Sequence, residues 1–218
     1  MPASIASRDS DKYPDPQWLL WSRRLQAIAQ DGLTYTRDSY DLGRYEQIRD
    51  LAAEILAAHS TGTLQEARDL LTLEAGPATS KVDVRAVVFR EGRILLVKEP
   101  GERGWSVLGG WADVGESPSE AAARETLEES GYRVRPVRML AAYDRDRHGH
   151  PPIPYHVYKL VYFCEILDSA PLTDVDTHGA RFFGEHEIPE LSVTRVTRAQ
   201  ISRFFEQHRY PALPADFD

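Results

Sequence analysis

The sequence predicts an α+β protein in which a mixed sheet with packed helices follows a small domain of three helices. Two observations carry this prediction. Apolar residues recur at helical spacing in the first third of the chain, and beyond it they alternate as in strands. One strongly marked helix then lies between strand segments, as in a sheet covered by helices. We therefore expect a helical domain over residues 15–76 and a sheet domain over residues 80–210.

Three helices are predicted in the first domain from apolar stripes and end signals. The ends are marked by Asp15–Pro16, Gly32, Gly62 and a capping box of Thr63 with Glu66. The stripes are Trp18, Trp21, Leu25 and Ile28, then Tyr45, Ile48, Leu51, Ile55 and Leu56, then Leu64, Ala67, Leu70, Leu71 and Leu73. So small a unit buries too little surface to be very stable alone, so we expect it to pack on the rest of the chain or on a second copy of itself, and we predict a homodimer.

The second domain is predicted from alternating segments that surround one helix. Gly76 to Ser80 is the expected linker between the domains. The expected strands are Val82–Val88, Arg93–Val97, Val134–Tyr143, Tyr155–Leu167 and Arg181–Phe183, and the expected helices are Pro118–Ser130 and Thr197–His208.

Composition excludes several classes of protein. The formal net charge is −8, so no basic face for nucleic acid is indicated, and a small anionic substrate suits the balance better. No apolar run is long enough to span a membrane, and residues 1–14 are polar, which predicts a disordered tail without a secretory signal. Cys164, the one cysteine, allows no internal disulfide and is expected in a buried strand. A cytoplasmic protein is the resulting prediction.

The helix Pro118–Ser130 carries an unusual set of carboxylates. Ser117 and Glu120 form a capping box, and Gly131 is placed to end the helix. Glu125, Glu128 and Glu129 fall within about 100° of the helix circumference. A solvated surface helix also carries glutamates, but it usually adds lysines to relieve their repulsion. This helix has no lysine, which favours a second interpretation, a metal site. Mg²⁺ and Mn²⁺ are the expected ions, because both prefer oxygen ligands.

The segment Gly110–Tyr132 resembles the Nudix box in full. The matching positions are Gly110, Glu116, Arg124-Glu125, Glu128-Glu129, Gly131 and Tyr132. Thr126 stands where the pattern prefers an aliphatic residue, and Leu108 stands where many relatives have proline. The resemblance implies the Nudix fold, an α/β/α sandwich with a mixed sheet.

The same resemblance implies a hydrolase of diphosphate bonds and gives roles to residues. Glu125, Glu128 and Glu129 would bind the metal, with the Gly109 carbonyl as a further ligand. Arg124 would hold a glutamate in place, and Glu116 would support the loop or add a ligand. The implied reaction is attack of a metal-activated water on one phosphorus. An intact glutamate set argues against the alternative of a non-catalytic nucleotide-sensing module.

The amino-terminal run Trp21–Thr36 looks like the helical domain of one Nudix subgroup. That resemblance implies dimerisation and a substrate in which a nucleoside diphosphate is joined to another moiety, such as CDP-choline or ADP-ribose. A nucleoside triphosphate or an RNA 5′ end is the alternative substrate. The aromatic residues Trp18, Trp21, Tyr35 and Tyr45 are interpreted as core and interface residues rather than base-stacking platforms.

Substrate contacts are the least determined part of the prediction. The proline-rich segment Ala142–Tyr158 is expected to contain a loop. Four basic residues are candidate contacts for phosphate or base: Arg85, Lys98, Arg145 and His148. A further carboxylate outside the box could act as base or ligand, and the sequence does not choose among Asp174, Asp176, Glu185 and Glu187.

Overall fold

The computed structural model describes residues 15–98, 103–169 and 179–218. Contacts divide the chain into a helical unit, residues 15–80 with Pro152–His156, and a sheet unit that contains the other described residues. In these ranges the helices are α1 (Gln17–Tyr35), α2 (Ser39–Ala58), α3 (Leu64–Thr72), α4 (Pro118–Ser130) and α5 (Arg198–Arg209). The strands are β1 (Lys81–Arg90), β2 (Arg93–Val97), β3 (Tyr132–Asp144), β4 (Val157–Ser169), β5 (Ala180–Phe183) and β6 (Asp216–Phe217).

The six strands of the described residues form one mixed sheet in the order β5-β2-β1-β4-β3-β6. Strands β1 and β4 are parallel at its centre, with Lys81 opposite Val157 and Val88 opposite Cys164. Strands β2 and β5 extend one side in antiparallel fashion. On the other side β3 is antiparallel to β4 and β6 is parallel to β3.

Both faces of the sheet are covered by helices, and the central strands β1 and β4 bury side chains on both sides. Ala121 and Ala122 of α4 pack against one face, with Val84 among their neighbours. Phe204 of α5 packs against the other, next to Val87. The α/β/α sandwich and the mixed sheet expected from the sequence are confirmed.

The helical unit has its own small core and consists of the three helices that the sequence predicts. Its buried residues are Leu19, Ala52, Ala53, Leu56, Ala67 and Leu71. The expected stripe of α2 is partly wrong, since Leu51 is 47% exposed while the two alanines that follow it are fully buried. Small residues here let α1 and α2 approach closely. The capping box of Thr63 and Glu66 is present at the start of α3.

Two expected ends of α1 are also corrected. The helix does not stop at Gly32 but continues to Tyr35, and a Cβ atom on Gly32 would lie 2.3 Å from the ring of Tyr45. This glycine therefore makes room for a neighbouring helix. At the other end Pro16 is the N-cap, and the Asp15 carboxylate pairs with Arg23 at 2.6 Å.

Three remaining expectations concern burial and extent. Cys164 is fully buried in β4, and burial raises the pKa of its thiol to about 12. The tail expected over residues 1–14 lies outside the described residues. No helix in the described part of the chain has both the length and the apolar character that crossing a membrane requires.

Candidate active site

Helix α4 begins and ends at the signals that its sequence carries. The Ser117 hydroxyl accepts a hydrogen bond from the Glu120 N–H, and the Glu120 carboxylate accepts one from the Ser117 N–H. Pro118 occupies the first turn, where it has no N–H to leave unsatisfied. Gly131 ends the helix in the left-handed region with φ 71°. The glutamates of the helix are thus presented from a rigid element.

Arg124 connects three glutamates on one side of α4. Its Nε donates to Glu116 Oε1 at 2.7 Å and its Nη2 donates to Glu116 Oε2 at 3.0 Å. Its Nη1 donates to Glu125 and to Glu128, at 3.0 Å in each case. These hydrogen bonds, above all those that Arg124 donates to Glu116, raise the pKa of Arg124 and keep it charged. The guanidinium therefore fixes the carboxylates relative to one another.

The fourth glutamate is joined to the loop that precedes α4. Glu129 Oε2 accepts a hydrogen bond from the Gly109 N–H at 2.9 Å. The loop itself runs against β1, with the Val84 N–H on the Gly110 carbonyl at 2.8 Å and the Ala86 N–H on the Leu108 carbonyl at 2.9 Å. Helix α4 and the central strand β1 are thereby both bonded to the same loop.

Two adjacent glycines make this approach possible. Gly109 has φ 129°, and a Cβ atom there would lie 2.0 Å from the Val84 carbonyl oxygen. A Cβ atom on Gly110 would lie 2.8 Å from Glu125 Oε1. Because neither residue has a side chain, the loop lies directly on β1 and leaves space for a carboxylate.

Glu125 is more enclosed than Glu116 and Glu128. Its side chain is 17% exposed, whereas that of Glu128 is 57% exposed. Burial raises the pKa of Glu125, although the charges of Arg124 and Arg85 oppose that effect. Glu116 behaves differently, since its hydrogen bonds from Arg124 lower its pKa.

The donor set suits a hard divalent cation. Glu129 accepts from the Gly109 N–H of the loop before α4, and Glu125 and Glu128 both accept from Arg124. Oxygen-only ligands of this kind fit Mg²⁺ or Mn²⁺. The space that a Cβ atom on Gly110 would fill lies beside the buried Glu125.

Comparison with known proteins decides the family. A NUDIX domain model matches residues 79–204, and a model described as "UDP-X-like, N-terminal oligomerisation domain" matches residues 16–71. The chain belongs to the Nudix family. A Bacillus subtilis protein named "Putative ADP-ribose pyrophosphatase YjhB" is 43% identical over 93% of this chain and 97% of its own length.

Two solved structures resemble this Nudix hydrolase closely enough to compare. A crystal structure of UDP-X diphosphatase is 30% identical with a TM-score of 0.60, and the match covers 97% of this chain and all of that one. An ADP-ribose pyrophosphatase from Streptococcus suis is 32% identical with a TM-score of 0.58, and it covers 64% of this chain. This chain is therefore a Nudix pyrophosphatase similar to ADP-ribose pyrophosphatases and to UDP-X diphosphatase.

The two departures from the Nudix box are accommodated by local contacts. Thr126 is fully buried, and its hydroxyl donates to the Ala122 carbonyl one turn earlier at 2.7 Å. The polar atom therefore has a partner inside the helix. Leu108 is also fully buried and packs in the core beneath α4.

The charge of Arg85 acts on Glu125, but its guanidinium lies within a buried ionic cluster. It bonds to Asp83 at 2.8 Å and to the Val107 carbonyl at 3.3 Å. Lys159, opposite Asp83 on β4, contacts the same carboxylate. Burial and the Arg85 charge lower the pKa of Lys159 to about 7. The sequence reasoning missed Asp83 and Lys159, although charged residues inside apolar strand segments were the available signal.

The other candidate substrate residues lie in three different places. Arg145 begins the 3-10 helix Arg145–Arg147 and is 3% exposed. His148 stacks near Tyr143, and its Nε2 lies 3.0 Å from Asp218. Lys98 follows β2, where its N–H donates to the Gly179 carbonyl. The charge of Arg85 thus acts on Glu125, whereas His148 lies against Asp218.

The candidate carboxylates outside the box divide into two groups. Asp174 and Asp176 lie outside the described residues. Glu185 pairs with Arg209, and Glu187 pairs with Arg93 at 3.2 Å. Both described carboxylates therefore take part in ion pairs with residues that are not among the site candidates.

Proposed function

We propose that this Nudix hydrolase cleaves the diphosphate bond of a nucleoside diphosphate joined to another moiety, with ADP-ribose as the first substrate to test. The observation that carries the proposal is the Arg124-centred set of glutamates beside the Gly109–Gly110 loop. The names of the relatives, ADP-ribose pyrophosphatase and UDP-X diphosphatase, support the substrate class. CDP-choline belongs to the same class and is the second substrate to test.

The residues of the site divide into ligands and positioning residues. Glu125, Glu128 and Glu129 would hold Mg²⁺ or Mn²⁺, together with the Gly109 carbonyl. An ion held by these residues would supply activation of water and neutralisation of charge on the phosphates. Arg124 acts through the carboxylates that it orients, and Glu116 acts through Arg124.

Arg85 is the best-placed candidate for a phosphate contact. Its charge acts on Glu125, and its guanidinium is oriented by two hydrogen-bonding partners, Asp83 and the Val107 carbonyl. A guanidinium that is already oriented loses little conformational entropy when it binds an anion. Lys98, Arg145 and His148 remain proposed contacts for other parts of the substrate.

The helical domain, residues 15–76, is proposed to form the interface of a homodimer, with the Nudix domain over residues 80–210. The matching model is described as an oligomerisation domain. Trp21, Ile28 and Tyr35 lie seven residues apart on α1 and are 53%, 52% and 66% exposed. Side chains at this spacing share one helix face, which a second copy can cover.

The proposed function is tested by turnover of a substrate panel with Mg²⁺ or Mn²⁺. The panel contains ADP-ribose, CDP-choline, UDP-glucose, nucleoside triphosphates and a 5′-triphosphorylated RNA, and products are identified by mass. We expect the best linked diphosphate to exceed the best triphosphate in kcat/KM. A ratio below one would contradict the substrate class while leaving the hydrolase family in place.

A further inference from the structure

A second group of functional side chains lies on the sheet face opposite α4. Asp83 and Arg85 alternate along β1 with the residues that pack on α4, and Lys159 is opposite Asp83 on β4. Arg145 and His150 follow β3. All five residues are at most 5% exposed. We call Asp83, Arg85, Arg145, His150 and Lys159 the buried cationic cluster.

The charges of this cluster favour a ligand that offers acceptor atoms. Arg85 and Lys159 both contact the carboxylate of Asp83, and Arg145 Nη1 lies 3.6 Å from the carboxylate of Asp146. Burial, and after it the charge of Arg85, lowers the pKa of Lys159. Burying cations is costly unless their donor groups find acceptors.

His150 adds an acceptor to this group of donors. Its Nδ1 lies 2.8 Å from the Val193 carbonyl oxygen, which accepts but cannot donate, so Nδ1 carries the proton. Burial, followed by the charge of Lys159, lowers the pKa of His150 to about 3, so the ring is neutral. Its Nε2 therefore presents a lone pair, and this buried atom has no hydrogen-bond partner among the described residues.

Few ligand groups satisfy both requirements at once. An alcohol hydroxyl donates one hydrogen bond and accepts others through the same oxygen. An ionised phosphate oxygen accepts but does not donate, and a trimethylammonium group does neither. We infer that the buried cationic cluster is a subsite for a sugar hydroxyl of the substrate, with His150 as the specificity-determining residue.

This inference rests on the proposed function and narrows its substrate. The hydroxyl can belong to the ribose of the nucleoside or to a sugar on the other side of the diphosphate. A linked group without a hydroxyl, such as choline, leaves the Nε2 atom of His150 without a hydrogen-bond donor. Sugar-linked diphosphates should therefore be preferred to choline-linked ones.

The test compares ligands that differ in one group. CDP-glucose and CDP-choline share the base, the ribose and the diphosphate, and 2′-deoxy-CDP-glucose removes one hydroxyl of the nucleoside. Calorimetry with α,β-methylene analogues of the three measures binding without turnover, and kcat/KM is measured for the natural compounds. The protein variants are His150→Leu, which removes the acceptor, and His150→Gln, whose amide can both donate to Val193 and accept. His186→Leu, at an exposed histidine, is the matched control.

We expect wild-type protein to bind the CDP-glucose analogue at least about tenfold more tightly than the CDP-choline analogue. His150→Leu should reduce that ratio to within about twofold of one, His150→Gln should restore most of it, and the control should keep it. If the loss of affinity is instead seen with the 2′-deoxy compound, the hydroxyl belongs to the nucleoside. This result also supports a hydrogen bond between a sugar hydroxyl and His150.

Equal binding of all three analogues by wild-type protein overturns the inference, and this comparison does not depend on the folding of any variant. The inference is also overturned if His150→Leu protein prefers the CDP-glucose analogue over the CDP-choline analogue as strongly as wild type does. It is overturned as well if that variant changes only the preference between CDP-glucose and UDP-glucose. Failure of the proposed function gives a different result, which is selective binding without turnover of any linked diphosphate.

Discussion

Arg124 and Glu116 form a two-point ion pair across the turn that begins α4, with nitrogen–oxygen distances of 2.7 and 3.0 Å. Because the pair uses two parallel hydrogen bonds, it fixes the orientation of the guanidinium and not only its position. The remaining Nη1 donor then reaches Glu125 and Glu128. Glu116 therefore influences the proposed metal ligands from outside the ligand set.

Arg124→Lys should lower turnover by about ten- to hundredfold, because an ammonium cannot form the two-point pair with Glu116. The midpoint of thermal unfolding should change little, since Arg124 is partly exposed at 28%. Steady-state kinetics and differential scanning calorimetry measure the two quantities. Wild-type turnover in the lysine variant would show that charge alone suffices at this position.

Glu129→Gln should reduce kcat by on the order of a hundredfold or more while the protein remains folded. EDTA should abolish wild-type activity, and added Mg²⁺ or Mn²⁺ should restore it. Glu165→Gln, a surface glutamate that pairs with Arg135 on the neighbouring strand, is the control and should retain activity. Full turnover by the Glu129 variant or by chelated enzyme would remove the metal mechanism.

Gly109→Ala should destabilise the protein by about 2–4 kcal/mol, since the added methyl group meets both backbone strain and the Val84 carbonyl. Gly115→Ala is the matched comparison, because Gly115 also has positive φ, 97°, but has nothing within 4 Å of its Cβ position. It should cost only about 1–2 kcal/mol. Urea unfolding of both variants separates the steric clash with Val84 from the backbone strain. Equal losses of unfolding free energy in the two variants would show that the clash is not the main cause of destabilisation.

Lys159 should make stability rise with pH above neutrality. Its folded pKa is about 7 and its ordinary value is 10.5, so between these values the unfolded chain binds more protons. The free energy of unfolding then increases with pH, by at most about 1.4 kcal/mol per unit for one proton. Lys159→Met should remove this slope between pH 7 and 10, whereas Lys98→Met should keep it. An unchanged slope in Lys159→Met would show that the lysine remains charged when buried.

The protein should have about twice the chain mass of 24.7 kDa in light scattering at micromolar concentration. Trp21→Ser and Ile28→Ser together should shift it toward the monomer, because both side chains lie on the exposed face of α1. Val137→Ser, at a 47% exposed position on β3, is the control and should leave the mass unchanged. A monomeric wild-type protein would contradict the proposed interface.

Local signals were sufficient for the elements and for the proposed metal ligands. Each of these signals lies within one or two helical turns of sequence: the capping box of Ser117 and Glu120, the terminating Gly131 and the spacing of the glutamates. Such contacts form between residues that are close in the chain, so the sequence alone determines them. The same reasoning failed at Gly32, where a residue typical of a helix end serves instead to admit the Tyr45 ring.

The sequence by itself determined the family, the α+β fold and the helix that presents Glu125, Glu128 and Glu129. Only the tertiary structure decided which charged residues meet within the sheet. Asp83 and Lys159 are 76 residues apart and touch because β1 and β4 pair in parallel with one particular register. The orientation of His150 likewise depends on the carbonyl of Val193, 43 residues away. Register and long-range packing arise from the whole core, and no local pattern of residue types specifies them.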